Sequence, residues 1–202
     1  MFFNTIDDET LQLLKAIQRI PEFSELRLVG GTALALQIGH RISVDLDLFG
    51  TWNTDGPLEP LLKQCGNLVV DNVQKSMQFF TVNGIKTDFV RYDYPWLEPA
   101  LSESGIRLAS IPDIGAMKIN AIINRGTKKD FIDLYYLLGN HSLEAILGWF
   151  KAKYSTGNVG TALRSLVFFD DADDMPMPRM LLPLNWEKVK TVISEKVREF
   201  AG

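Results

Sequence analysis

The 202-residue sequence predicts a mixed α/β sheet unit followed by a mostly helical part. Three observations predict this. Residues 67–93 hold three β-rich runs, and the last two, "SMQFFTV" and "IKTDFVRYD", flank Asn83-Gly84, the strongest short hairpin signal. Residues 25–49 read strand, glycine-opened helix, strand. Beyond residue 105, apolar residues recur mainly at helical spacing. The expected division is therefore a sheet unit over 1–105 and a helical C-terminal part over 106–202, packed on it.

Taken in order, residues 8–20 form an amphipathic helix carrying Leu11, Leu14, Ile17 and Ile20, and Pro21 ends it. "ELRLVG" is a short strand. "GTALALQIG" is a short helix, opened by glycines and closed by Gly39. "RISVDLDLF" alternates as a strand does: Val44, Leu46 and Leu48 face one way, Ser43, Asp45, Asp47 and Phe49 the other. A helix fills 57–65, and the strand runs "NLVVDNV", "SMQFFTV" and "IKTDFVRYD" follow. After "YPWLEPALSESG" come helical segments at 113–124, 128–138, 142–154, 160–169 and 185–200. The acidic, proline-broken stretch at 170–178 reads as a surface loop.

Composition narrows the function classes. With 46% hydrophobic and 23% charged residues, the chain is an ordinary globular sequence. Its net charge of −4 supplies no global field for nucleic acid, so any such contact needs a local basic patch. Cys65 is the single cysteine, which excludes an internal disulfide and a cysteine-rich zinc site. No apolar run reaches membrane-spanning length, and the acidic N-terminus is unlike a signal peptide. The expected location is the cytoplasm, where nucleoside triphosphates and magnesium are abundant.

The chemistry concentrates in residues 29–50. Carboxylates are depleted in strands and costly to bury alone. Asp45 and Asp47, two apart on a strand, point to one side and suit one or two Mg²⁺ ions. Upstream, Gly30, Gly31 and Thr32 follow a strand and open a helix. Glycines allow close backbone approach to a phosphate, and the helix start offers free N–H groups. Thr32 adds a hydroxyl. Asp88 supplies a third carboxylate mid-strand, on a strand able to lie beside 42–49. The bland alternatives are a solvated strand face for Asp45 and Asp47, a plain turn for the glycines, and pairing of Asp88 with Lys86 or Arg91. The combination of glycine turn, helix and D-x-D strand favours the functional reading.

These residues resemble the nucleotidyltransferase superfamily with the polymerase-β-like fold. More closely, "GGTALALQIGHRISVDLDLF", "DIGAMKINAIINRGTKKDFIDLYYLL" and "FFDDADDMPMPRMLLPLNWEKVK" resemble the AbiEii/AbiGii toxin family of abortive-infection and type IV toxin–antitoxin systems. The resemblance implies a Mg²⁺-dependent nucleotidyltransferase that moves a nucleotide from an NTP to an acceptor. It implies RNA as that acceptor, plausibly the tRNA 3′ end, with growth arrest as the outcome and an antitoxin encoded nearby. It also implies Gly30, Gly31 and Thr32 as the nucleotide loop, Asp45 and Asp47 as metal ligands with Asp88 as a less firm third, and Lys118 as a triphosphate contact. Asp130 and Asp133 match an acidic helix implicated in activity. Two alternatives stand: nucleotidylation of a small molecule or protein, and a non-catalytic nucleotide- or partner-binding module.

Residue physics bears on the second motif. Lys118, Ile122 and Arg125 share a helix face. With Lys128 and Lys129 they make a cationic patch, the expected site for NTP and tRNA contact. "TKKD" reads as a capping box with Thr127 as N-cap and Asp130 reaching back, which is preferred over catalysis for Asp130. Asp133 has no capping role and is the better candidate to orient Lys118 or Arg125.

Overall fold

The computed structural model describes all 202 residues. The chain divides into two compact units, one of residues 1–93 with 99–109 and one of residues 94–98 with 110–202.

The first unit holds a seven-stranded mixed sheet. In chain order its strands are β1 (Arg27–Leu28), β2 (Leu46–Gly50), β3 (Leu68–Val73), β4 (Met77–Val82), β5 (Ile85–Arg91), β6 (Leu101–Glu103) and β7 (Ile106–Leu108). Across the sheet they run β3-β4-β5-β2-β1-β7-β6. β2 and β5 pair parallel, and so do β1 and β7; the other pairs are antiparallel. Helices α1 (Asp8–Gln18), α2 (Gly30–Ile38) and α3 (Glu59–Lys63) complete the unit.

Local chemistry explains these elements. The Asp7 side chain accepts the Thr10 N–H at 2.7 Å and caps α1. Helix α1 buries Leu13, Leu14 and Ile17, and its Gln18 carboxamide bonds the backbone of Arg107 in both directions, at 2.6 and 2.9 Å. The Arg107 guanidinium in turn satisfies the carbonyls of Gln18, Phe23 and Leu26. Helix α2 is apolar nearly all round, and Ala33 through Leu36 are fully buried. It ends at Gly39 with a left-handed φ of 72°. The core continues through Leu28, Leu46, Leu48, Phe80 and Phe89; the Phe89 ring lies 5.2 Å from Phe23 and 5.9 Å from Phe80.

Three expectations change. The strand expected over 41–49 begins its regular ladder only at Leu46. Val44, expected beside Leu46 and Leu48, lies before the ladder and is 49% exposed. Residues 101–108 form the β6–β7 hairpin, turned by Ser104 and Gly105 at positive φ, where the sequence suggested only a connection. Short strands of three residues leave little periodicity to read.

The second unit is helical: α4 (Ile111–Asn124), α5 (Lys128–Leu138), α6 (Leu143–Lys153), α7 (Val159–Leu166), α8 (Asp170–Asp173) and α9 (Trp186–Ala201). Side chains of Ser110, Ser142, Asn158 and Asn185 cap four of these helices. The stretch read as a surface loop carries the one-turn helix α8. Asp173 in it accepts the Trp186 indole N–H at 2.6 Å and the Lys190 ammonium at 3.0 Å.

One ion pair lies at the centre of this unit. Lys153 Nζ contacts Asp113 Oδ1 at 2.6 Å, both side chains have no exposed surface, and Nζ also donates to the Pro95 carbonyl at 2.8 Å. Asp113 further accepts the Ser110 hydroxyl and the N–H groups of Leu97 and Glu98. Segment 94–98 belongs to the helical unit for this reason. Removing either charge alone would strand the other in an apolar interior, a loss of roughly 3–5 kcal/mol.

Candidate active site

Asp47 and Asp88 are placed by the parallel pairing of β2 and β5. Their registered positions lie directly opposite one another. Neighbouring strands are about 4.8 Å apart, so both carboxylates stand on one face of the sheet. Leu46 and Leu48 on one strand, Thr87 and Phe89 on the other, turn to the opposite face and are fully buried. Apolar burial on that side thus fixes the register that brings the two acids together.

Asp45 lies one residue before the ladder. Its carbonyl accepts the Thr32 hydroxyl, and Thr32 also contacts the Ser43 hydroxyl at 2.9 Å. Thr32 is 1% exposed, so its side chain holds the Asp45 backbone and is not presented to a phosphate. This replaces the hydroxyl contact expected from sequence. Electrostatics tie Asp45 to the pair. Burial raises the Asp88 carboxyl above the ordinary carboxylate range; Lys86 opposes that rise, and Asp45 adds to it. Burial lowers the Lys86 ammonium, but Asp88, Asp45 and Asp47 together outweigh burial and hold it above its usual value.

The Asp88 side chain is 13% exposed. Oδ2 lies 3.3 Å from Lys86 Nζ, the pairing foreseen as the bland alternative. Oδ1 is buried and has no hydrogen-bond partner. A buried acceptor left unpaired is costly. One long contact to a lysine that is itself 60% exposed leaves that cost in place.

Gly30 explains why the turn needs glycine. It opens α2 with a φ of +69°, and a Cβ built there would run into Asp47 Oδ2. The backbone and the carboxylate therefore approach more closely than any other residue would allow. The Val29 N–H donates to the Asp47 carbonyl at 2.8 Å and fixes that approach. Gly30, Gly31 and Thr32 form the first turn of α2, where N–H groups lack intrahelical acceptors and the helix end is partly positive.

The donor set fits a hard divalent cation. Carboxylate oxygens suit Mg²⁺, which keeps several waters and takes part of its shell from substrate phosphates. The orphaned Asp88 Oδ1 and the glycine cradle at Asp47 are the structural marks of that fit. No group of three or more acidic, histidine or cysteine side chains is arranged so that it could hold a metal ion by itself, so an ion here would take the rest of its shell from water and substrate phosphate.

The second motif forms a different structure from the expected patch. Lys118 has 5% side-chain exposure and lies between Asp130 Oδ1 at 3.0 Å and Asp133 Oδ2 at 2.6 Å. Arg125 grips Asp130 through two N–H groups, at 2.9 and 3.1 Å. Lys128 is buried, donates to the Asp173 carbonyl and lies over the Trp186 ring. Of the four cations only Arg125 and Lys129 are exposed, and Arg125 is shared with Asp130. Lys118 is held between two carboxylates and Lys128 is covered, so the positive surface left to this cluster is Lys129 and the outer side of Arg125.

Thr127 does stand at the N-cap of α5, but Asp130 does not reach back to a backbone N–H. It accepts the Thr127 hydroxyl at 2.7 Å and serves as the hub for Lys118 and Arg125. Burial pushes its carboxyl up; Lys118, Arg125 and Thr127 outweigh that and bring it down to about 2. Asp133 Oδ2 contacts Lys118 Nζ at 2.6 Å, one of the two partners weighed for it from sequence.

Two predictions follow from this geometry. Gly30→Ala adds left-handed strain and a clash with Asp47, and should cost about 1–3 kcal/mol. Gly84→Ala carries a similar φ of +81° with open space around it. In urea titrations both variants should lose stability, while only Gly30→Ala should lose nucleotide binding. Equal nucleotide binding in the two would detach the glycine turn from the site. The second concerns pH. The folded Asp130 carboxyl titrates near 2, below its ordinary 3.8, so its stabilisation is complete above about pH 4 and is lost as pH falls towards 2. The stability advantage of wild type over Asp130→Asn should shrink by about 2 kcal/mol between pH 5 and pH 2. A constant advantage would contradict the network.

Comparison with known proteins agrees with the geometry. The profile of the family described as nucleotidyl transferase AbiEii toxin, type IV TA system, matches residues 12–194. An uncharacterized protein of Aquifex aeolicus is 32% identical over 95% of this chain and 96% of its own length. Among solved structures, JHP933 of Helicobacter pylori aligns over 96% of this chain and 92% of its own, with a TM-score of 0.58 and 17% identity. The nucleotidyltransferase toxin MenT4 of Mycobacterium tuberculosis aligns over 95% and 82%, with a TM-score of 0.58 and 13% identity. The mixed sheet with its helices is the polymerase-β-like nucleotidyltransferase fold expected from sequence. The chain belongs to the AbiEii nucleotidyl transferase toxin family and is a nucleotidyltransferase.

Proposed function

We propose that this enzyme transfers a nucleotide from a Mg²⁺-bound NTP to a hydroxyl group of RNA, and that the tRNA 3′ end is the acceptor whose modification arrests growth. The observation that carries the metal and nucleotide part is the opposed pair Asp47 and Asp88 beside the Gly30 turn, with Asp88 Oδ1 lacking a partner. Asp45, Asp47 and Asp88 would hold the metal. When bound, Mg²⁺ supplies neutralisation of the phosphate charge and template action.

The chain's own groups do the rest. The first turn of α2 presents backbone N–H groups to the triphosphate. The acceptor oxygen attacks the α-phosphorus, the α–β phosphoanhydride bond breaks, and pyrophosphate leaves. A carboxylate of this group accepts the hydroxyl proton. Lys118, Arg125 and Asp133 are assigned no step at the triphosphate. Their role in this reading is to hold α4 and α5 together. An antitoxin encoded nearby is the partner that the type IV family implies.

A second reading keeps the transfer and changes the acceptor to a small molecule or a protein hydroxyl. The pairing of Lys118 with Asp130 and Asp133 favours it, because RNA binding draws on free cations. No helix is long and apolar enough to cross a membrane.

Incubation with each α-labelled NTP, Mg²⁺ and total RNA should place label in a tRNA-sized band. Asp45→Asn, Asp47→Asn and Asp88→Asn should each lose transfer by on the order of several kcal/mol of barrier, with melting temperatures retained. Label in a small product or in protein would establish the second reading, and unchanged turnover in all three variants would move the site elsewhere.

A further inference from the structure

The sheet has a second polar feature on the face away from the carboxylates. Asp88 registers with Phe79 on β4, whereas Gln78 registers with Phe89, so Gln78 and Asp88 project to opposite faces. Its neighbours on that face, Phe80 and Val82, are fully buried, as a core strand requires. Gln78 is 6% exposed, and its Oε1 is buried with no hydrogen-bond partner. A carboxamide in that state is costly to fold and needs a reason.

A cleft of about 410 Å³ opens beside it, lined by Trp52, Asp55, Pro57, Lys75, Gln78 and Arg91 among others. That size falls within the range of small-molecule sites. The Arg91 guanidinium lies 4.3 Å over the Trp52 ring and donates to the Thr54 carbonyl at 3.3 Å. Both contacts fix its plane, and neither neutralises its charge. No carboxylate pairs with it. Lys75 adds a second cation, and Asp55 stands exposed nearby.

We propose that this cleft binds an adenine nucleotide unit, an adenosine carrying a 5′-phosphate. A carboxamide matches adenine in both directions, accepting from N6–H and donating to N7. With its carboxamide turned into the cleft, where Oε1 is otherwise covered, Gln78 gains the donor that Oε1 lacks. The fixed guanidinium plane offers a surface on which a base stacks. The phosphate is drawn to Arg91 and Lys75. Asp55 is of the type that accepts ribose hydroxyls. The site is separate from the carboxylate pair and does not depend on the proposed transfer. A free nucleotide and an unpaired adenosine within an RNA strand present the same chemistry.

The test is calorimetric titration of the intact protein with AMP, GMP, CMP and UMP in EDTA, which silences metal-dependent binding. AMP should bind at one site and be preferred roughly tenfold or more over the pyrimidines. Gln78→Leu should weaken AMP by a similar factor. Gln78→Glu, of the same size and unable to donate to N7, should also weaken it, which covers the case that the leucine variant folds poorly. Asp47→Asn should leave AMP affinity within twofold of wild type. Competition by oligo(A) against bound AMP would assign the site to a strand, and its failure would assign it to the free nucleotide. Absence of AMP binding, AMP affinity unchanged in both Gln78 variants, or loss of AMP binding in Asp47→Asn would each overturn the proposal.

Discussion

Two like charges held on neighbouring strands repel, and here the fold holds them there. The parallel pairing of β2 and β5 is set by the apolar residues that alternate with the acids. Leu48 and Phe89 must be buried, so Asp47 and Asp88 must face each other on the other side. Register cannot slip by one residue without exposing that core and burying the carboxylates. The hydrophobic effect on one face therefore maintains an electrostatic cost on the other. Burial of Asp88 adds to it, and a single exposed lysine relieves it only in part.

The second unit treats its charges in the opposite way. Asp113 with Lys153, and Asp130 and Asp133 with Lys118 and Arg125, are matched pair by pair, and several hydrogen bonds satisfy the remaining acceptor capacity. These groups anchor helix packing and the 94–98 segment. The contrast between satisfied acids in one unit and an unsatisfied acid in the other is what singles out the sheet face as chemistry.

Much of this was legible in the sequence, for physical reasons. Glycine before a helix and D-x-D on a strand carry their own constraints, so Gly30, Asp45, Asp47 and Asp88 could be named in advance. Asn83-Gly84 fixed the β4–β5 hairpin, which in turn placed Asp88. Helical spacing found the five longest helices of the second unit. What could not be read was pairing at long range. Lys118 looked like part of a surface patch because a sequence gives faces and not burial; the carboxylates that pair with it and with the exposed Arg125 sit on the following helix. Thr32 looked like a phosphate ligand because nothing local shows that its hydroxyl is taken by the Asp45 carbonyl. Asp113 and Lys153 lie 40 positions apart, and no periodicity connects them. Gln78 reads as an ordinary polar residue of an alternating strand, and only its inward parity and missing partner distinguish it.

The central claim is that the opposed carboxylates form a cation site completed by nucleotide. Mn²⁺ accepts the same oxygen ligands as Mg²⁺ and is directly visible by electron paramagnetic resonance. Titrating Mn²⁺ into the wild-type protein with a non-hydrolysable NTP should deplete the free-ion signal, and Asp47→Asn combined with Asp88→Asn should restore it. Depletion that is identical in the wild type and the double variant would contradict the account.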